Sequence, residues 1–325
     1  MQAWQATGQS GPINDRWVSN LDETLLCCQV TILAVNPTSA PHRASTPIQA
    51  APITHYENFP VASLLCPPRL RQPIAAVYAF ARTADDIADE GQATAAQRLA
   101  DLAAYRSELQ SIAAGQPPTR WAGVFGPLQA TLHEHRLPLA LLDDLLDAFM
   151  QDVAMTRDGA SYADQAQLLD YCRRSANPVG RLLLHLYGVQ DAAALRQSDA
   201  ICSALQLINF WQDLSVDLPR VRHYLTDADC AAHGVARADL AALRRTPESD
   251  RLILDCAAWA RQLMLEGAPL VRRLGGRAGW ELRLVVQGGL RILDKVEALG
   301  GASLCRRPVL RPLDWLRMAA RSLTM

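Results

Sequence analysis

Residues 74–90 read Ile74-Ala75-Ala76-Val77-Tyr78-Ala79-Phe80-Ala81-Arg82-Thr83-Ala84-Asp85-Asp86-Ile87-Ala88-Asp89-Glu90, between Pro73 and Gly91. Ile74, Val77, Tyr78 and Ala81 follow i, i+3, i+4, i+7 spacing, which gives one apolar helical face. A proline before and a glycine after are the usual bounds of such a helix. Asp85 and Asp89 lie four residues apart, on one face and one turn from each other. Like charges at that spacing repel by roughly 0.2–0.5 kcal/mol, and the C-terminal end of the helix dipole disfavours anions. A helix that accepts both penalties calls for a compensating cation.

The same periodicity extends outward. Helical stretches are expected at about 94–114, 139–157, 164–187, 192–217, 236–245, 249–274, 278–299 and 312–323. Gly115, Pro138, Gly188, Pro219, Pro247, Gly275 and Pro308 punctuate them. No fixed-period repeat and no strand-rich block appears. The expectation is one all-α domain of about ten helices. Residues 1–52, with Asn36-Pro37-Thr38-Ser39-Ala40-Pro41 and Ser45-Thr46-Pro47, read as a mobile N-terminal extension, and 53–325 as the folded domain.

Composition narrows the function classes. Half of the 325 residues are apolar, with 32 basic and 33 acidic side chains and a net charge of −1. That excludes a disordered chain and a nucleic-acid binder that relies on bulk positive charge. All basic residues except Lys295 are arginine, so an anion clamp here would be built from guanidinium forks. The eight cysteines form no CxxC pair or Cys/His cluster, against a zinc site and in favour of free thiols in a reducing compartment. The apolar run 25–35 is too short to span a bilayer. The expected location is the cytoplasm, with peripheral contact at the inner face of the membrane left open.

A second acidic stripe lies in Asn209-Phe210-Trp211-Gln212-Asp213-Leu214-Ser215-Val216-Asp217. Asn209, Asp213 and Asp217 are spaced i, i+4, i+8 and present three oxygen donors on one helical face. Such donors suit Mg²⁺, which often bridges protein carboxylates to substrate phosphates. Arg82 precedes the first stripe by one turn, and Arg220, Arg222 and Tyr224 follow the second; arginine forks beside a metal–carboxylate cluster match a diphosphate. Acidic pairs also decorate ordinary solvated faces, and Asp143-Asp144-Leu145-Leu146-Asp147 is read as such a face. Pro178 and Gly180 inside Tyr171–Arg181 predict a kink or break.

In combination these motifs resemble the squalene and phytoene synthases, over about residues 54–322. They are Tyr78–Asp89, Tyr171-Cys172 with Val179-Gly180, Gln206-Leu207-Ile208-Asn209 leading to Asp213 and Asp217, and Arg222-His223-Tyr224. Within that family His55–Ser63, Ala81–Gly91, Arg174–Gly180 and Asn209–Asp213 are most similar to the bacterial hopanoid-pathway branch, the hydroxysqualene synthases. The resemblance implies an isoprenoid-synthase-type helical bundle around a central hydrophobic cavity, with Mg²⁺ held by Asp85, Asp89, Asn209, Asp213 and Asp217. It implies that Arg82 and Arg222 hold diphosphate and that Tyr78, Tyr171 and Gln206 line the cavity near the reacting carbons. It further places Tyr171 with the aspartates in the catalytic set, and His55 and Tyr224 among the substrate contacts.

Three departures bear on the activity. Relatives that condense two farnesyl diphosphates carry a basic residue at the position of Glu57 and an arginine at that of Gln212. A tyrosine of the late helix corresponds to Gly289. The expectation is therefore a one-diphosphate reaction: presqualene diphosphate ionises, rearranges and captures water to give hydroxysqualene. No GxGxxG motif after a strand supports hydride transfer. The alternatives are a squalene or phytoene synthase that condenses two prenyl diphosphates, and a non-catalytic helical scaffold. An isoprenoid diphosphate is the expected partner, no nucleic acid is expected, and contact with other enzymes of the hopanoid pathway is left open.

Overall fold

A computed structural model describes residues 66–325. The extension at 1–52, the domain start at 53, His55 and Glu57 lie outside these residues. The described chain folds into thirteen α-helices, ten of them ten residues or longer: α1 (Pro68–Asp89), α2 (Ala95–Ala113), α3 (Ala122–His135), α4 (Leu139–Asp158), α5 (Gln165–Ser175), α6 (Asn177–Leu186), α7 (Ala192–Asp217), α10 (Pro247–Gly267), α12 (Gly276–Ala298) and α13 (Pro312–Leu323). The short ones are α8 (Asp227–His233), α9 (Arg237–Ala241) and α11 (Leu270–Arg273).

Helix α1 starts at Pro68, earlier than the residue after Pro73. Pro73 forfeits one backbone hydrogen bond, but its ring and Leu70 are both buried, and that burial offsets the loss. At the other end Glu90 caps the helix and Gly91 takes φ +77°, a left-handed conformation that glycine adopts at no steric cost. The expected helix 164–187 breaks at Ala176. Restarting at Asn177 puts Pro178 in the first turn of α6, where no N–H is needed. Gly180 then lets α6 close on α7: a Cβ there would come within 2.4 Å of Ser198 Oγ and 2.6 Å of Cys202 Sγ.

Helix α3 was not expected. Gly123, Gly126 and Pro127 are poor helix formers, yet Phe125 and Leu128 are fully buried. The Phe125 ring lies 4.6 Å from that of Tyr105 and 6.0 Å from that of Phe80, and the last two stack at 5.2 Å. Burial of three aromatic rings outweighs roughly 1 kcal/mol of helix propensity lost per glycine. The expected helix 249–274 likewise divides, at Ala268-Pro269, into α10 and α11.

The core has two parts. One gathers α1, α2, α3 and most of α4 around Phe80, Tyr105, Phe125 and Leu145. The other surrounds α7 with α10 and α12, through Ile201, Leu205, Trp211, Ile253, Met264 and Val285. Helix α4 gives Phe149 to the first and Ala148 to the second, and α6 gives Leu182 to the first and Leu184 to the second. Each carboxylate stripe therefore belongs to a different half of the core.

Candidate active site

The last two turns of α1 bring Arg82, Asp85 and Asp89 to one end of the bundle. Asp85 is only 2 % exposed. Its Oδ2 accepts a 3.1 Å hydrogen bond from Arg82 Nη1, while Oδ1 is buried with no hydrogen-bond partner. Arg82 also reaches Asp86 and Glu90, each at 2.7 Å. Burial pushes the Asp85 carboxyl up to about 8, although Arg82 pulls it down; Asp89 and Asp86 add to the rise. A carboxylate so placed is short of positive charge.

The last two turns of α7 carry the second stripe. Asn209 Nδ2 donates to Asp213 Oδ2 at 3.0 Å, and Arg307, from the segment before α13, pairs with the same carboxylate. Burial raises Asp213, against Arg307 and Asn209. Enclosure by the protein pushes Asp217 up to about 7, with Arg222 opposing it and Asp213 adding to it.

Arg222 joins the stripes. The turn after α7 folds back on its end, with Arg222 N donating to Asp217 O at 3.1 Å. The Arg222 guanidinium pairs with Asp89 of α1 and lies within the field of Asp217, Asp152 and Tyr224. The two acidic ends, on separate halves of the core, thus share one cation. Beside the first stripe opens a cleft of about 410 Å³, whose wall includes Asp85, Asp89, Arg98, Asp152, Arg220 and Arg222 but none of Asn209, Asp213 and Asp217.

Beside it the Tyr171 hydroxyl donates to Asp152 Oδ2 at 2.7 Å, and enclosure pushes Asp152 up to about 7 despite that hydrogen bond and Arg222. Tyr171 packs with Tyr162 at 5.5 Å, and Phe210 stacks on Tyr224, which makes an aromatic wall. Tyr78 and Gln206 are half-buried, one turn before Arg82 and three residues before Asn209 on the two stripe-bearing helices. Further down, Ile74, Leu184, Ile201, Cys202, Leu274 and Leu282 line an apolar pocket. Eleven residues separate Ile74 from Asp85, and eleven separate Cys202 from Asp213. Both helices therefore run in the same sense from apolar pocket to carboxylates, over about 16 Å at 1.5 Å per residue.

The donors are hard oxygens, and Asp85 Oδ1, buried without a hydrogen-bond partner, is free to ligate a cation. Among the described residues no three acidic, histidine or cysteine side chains already form a metal cage. Hard oxygen donors suit Mg²⁺, which takes one or two carboxylates and completes its shell with water and phosphate oxygens. Asp143 and Asp147 instead pair with Arg106, and Asp144 with Arg173, outside the cleft wall.

Three site residues escaped the sequence reading: Arg98, which donates to Ile87 O and Gly91 O at the end of α1, Asp152 and Arg307. Asp152 sits three residues after Phe149 and seven after Leu145 on the apolar face of α4, and an acid in that register was the available signal. Arg307 lies in a segment without periodicity, and nothing local points to Asp213. Of the departures, Gln212 is buried and its Nε2 donates to Pro308 O at 2.7 Å. At Gly289 a Cβ would meet the side-chain tips of Met264 at 2.8 Å, Ile208 at 3.1 Å and Leu205 at 3.2 Å, which would have to shift to admit a side chain there.

The squalene/phytoene synthase family model matches residues 54–314. The hydroxysqualene synthase of Rhodopseudomonas palustris is 32 % identical over 262 residues, 80 % of this chain and 85 % of that protein. The presqualene diphosphate synthase of the same organism is also 32 % identical, but over 169 residues, 52 % of this chain and 57 % of that protein. Among solved structures, squalene synthase HpnC from Alicyclobacillus acidocaldarius is 37 % identical with a TM-score of 0.69, covering 76 % of this chain and 90 % of that one.

Proposed function

Since the chain belongs to the squalene/phytoene synthase family, we propose that it converts presqualene diphosphate to hydroxysqualene, with Mg²⁺ bound between Asp85, Asp89, Asn209, Asp213 and Asp217. One observation carries the reading: carboxylates at the ends of α1 and α7 meet through Arg222, and both helices lead from them to one apolar pocket. That arrangement suits an amphiphile with a polyanionic head and a long apolar tail. The broader match to the hydroxysqualene synthase than to the presqualene diphosphate synthase of one organism also supports it.

Bound divalent ions would supply positive charge against the oxygens of the departing diphosphate. The chain's own groups do the rest. Arg82 and Arg222 offer guanidinium forks to those oxygens. The faces of Tyr171, Phe210 and Tyr224 stabilise the carbocation left behind, by about 0.5–2 kcal/mol each where they face it. Asp152 fixes the orientation of the Tyr171 hydroxyl. Water then adds to the rearranged cation and loses a proton, which gives the alcohol. Gln212, committed to Pro308 O, leaves no arginine at that position for a second diphosphate.

Mass-spectrometric product analysis tests the proposal. With presqualene diphosphate and Mg²⁺, and without NADPH, the product should be hydroxysqualene, and farnesyl diphosphate alone should give little turnover. Squalene formed only when NADPH is added would overturn it in favour of a squalene synthase, the activity named for the Alicyclobacillus protein. Efficient use of farnesyl diphosphate would favour a condensing enzyme.

A further inference from the structure

Six large apolar side chains stand exposed among the described residues, and four of them fall within fifteen positions: Val309 at 48 %, Leu313 at 71 %, Leu316 at 69 % and Leu323 at 70 %. Helix α13 explains the clustering. Its inner face buries Asp314, Met318 and Ser322. The remaining positions put Leu313, Leu316, Ala320 and Leu323 on one outward stripe, as 100° per residue requires. A leucine stripe in water on a helix that already has its own buried face needs an external occupant.

The charge around the stripe identifies that occupant. From Cys305 to the last residue there are five arginines and a single acid, Asp314, in a chain whose net charge is −1. Asp314 is turned inward and held by Arg291 and Lys295, each at 2.7 Å. Arg306, Arg311 and Arg317 are exposed and have no ion-pair partner among the described residues. Arg321 borders the stripe and reaches Asp294 at 3.2 Å. Leucines flanked only by arginine on an amphipathic helix match an anionic lipid surface, which takes the leucines at the acyl boundary and the guanidinium groups among its phosphates.

The position of α13 agrees with this. Just before the helix, Arg307 and Pro308 contact Asp213 and Gln212 at the carboxylate end. At the far end Ser322 and Met325 meet Arg283 and Gln287, in the half of α12 whose Ala278, Glu281 and Leu282 line the apolar pocket. The outward stripe thus runs beside the whole length from carboxylates to pocket.

We propose that the α13 face, with Val309, Leu313, Leu316 and Leu323 flanked by Arg306, Arg311, Arg317 and Arg321, docks the protein on an anionic phospholipid surface. No helix among the described residues is long and apolar enough to cross a membrane, so docking is in the plane of the surface. It stands whichever substrate the active site takes.

The test is co-sedimentation of the full chain with vesicles of equimolar phosphatidylcholine and phosphatidylglycerol, and with phosphatidylcholine alone. The chain should partition onto the anionic vesicles, and high salt should release it. Leu313→Ser with Leu316→Ser should lower the partition coefficient about a hundredfold. Arg306→Gln, Arg311→Gln and Arg317→Gln together should lower it about a hundredfold, from roughly fivefold per arginine. Leu265→Ser, at an exposed leucine of α10, should change nothing. Should the leucine variants lose helicity, the arginine variants and the salt dependence decide. The proposal is overturned if the chain ignores anionic vesicles, binds both compositions alike, or binds equally well with the face altered. A lipid-free dimer that the leucine variants dissociate would also overturn it, by assigning the face to a second copy of the chain.

Discussion

Replacing Arg222 by methionine removes a cation that both acidic stripes share and keeps most of the side-chain bulk. Arg222 and Asp89 are 13 % and 17 % exposed, so their attraction acts in a partly desolvated setting. A contact at about 4 Å with an effective dielectric near 20 is worth about 4 kcal/mol before desolvation is counted. Losing one partner of a buried pair costs roughly 3–5 kcal/mol. Residual exposure places this pair at the lower end, and the loss also removes a positive charge that acts on Asp89, Asp152 and Asp217 together. We expect a loss of about 3 kcal/mol in metal-free buffer, which for a chain of this size lowers Tm by roughly 6–12 °C. Mg²⁺ should restore part of it by supplying the missing charge, and Asp217→Asn in the same background should restore part of it without metal. Thermal unfolding with and without Mg²⁺ measures all three. A melt like that of the unaltered protein would refute the shared-cation geometry, and so would a loss that neither Mg²⁺ nor Asp217→Asn relieves.

Three further expectations follow from the same contacts. Enclosure holds the Asp152 and Asp217 carboxyls at about 7 in the fold, against an ordinary aspartate value of 3.8. Between those values the folded chain binds protons that the unfolded chain has released. Metal-free stability should therefore fall as pH rises from about 4 to 7, by at most about 1.4 kcal/mol per unit for each group. Urea unfolding across that window checks the sign, and stability that rises with pH would contradict it. Asp152→Asn and Tyr171→Phe should each lower turnover about a hundredfold with helicity intact. The double variant should be little worse, because both act through one hydrogen bond; steady-state kinetics showing additive losses would separate the two residues. Gly180→Ala should cost about 1–3 kcal/mol by overpacking α6 against α7, and Ser198→Ala with Cys202→Ala should recover most of it in denaturant titrations.

Much of this was legible in the chain, for identifiable reasons. Helix α7 runs from 192 to 217, as its periodicity predicts, because its apolar positions are dense and no proline or glycine interrupts them. The break near Pro178 was readable because a missing N–H is a local property. Helix α3 was not, since the force that holds Gly123, Gly126 and Pro127 in a helix is aromatic packing against Phe80 and Tyr105, which are distant in sequence. The same division applies to the proposed site. Asp85, Asp89, Asn209, Asp213 and Asp217 show themselves by helical spacing. That Arg222 reaches Asp89, 133 positions away, and that Arg307 reaches Asp213, 94 positions away, depends on how the two halves of the core dock.

The most direct measurement of the central claim is calorimetric titration of inorganic diphosphate into the protein, with and without Mg²⁺. Binding should require Mg²⁺ and should be lost when either stripe is altered alone, by Asp85→Asn on α1 or by Asp217→Asn on α7, in proteins whose helicity is unchanged. Binding that persists without metal, or that survives in either variant, would mean that the two stripes do not act on one ligand.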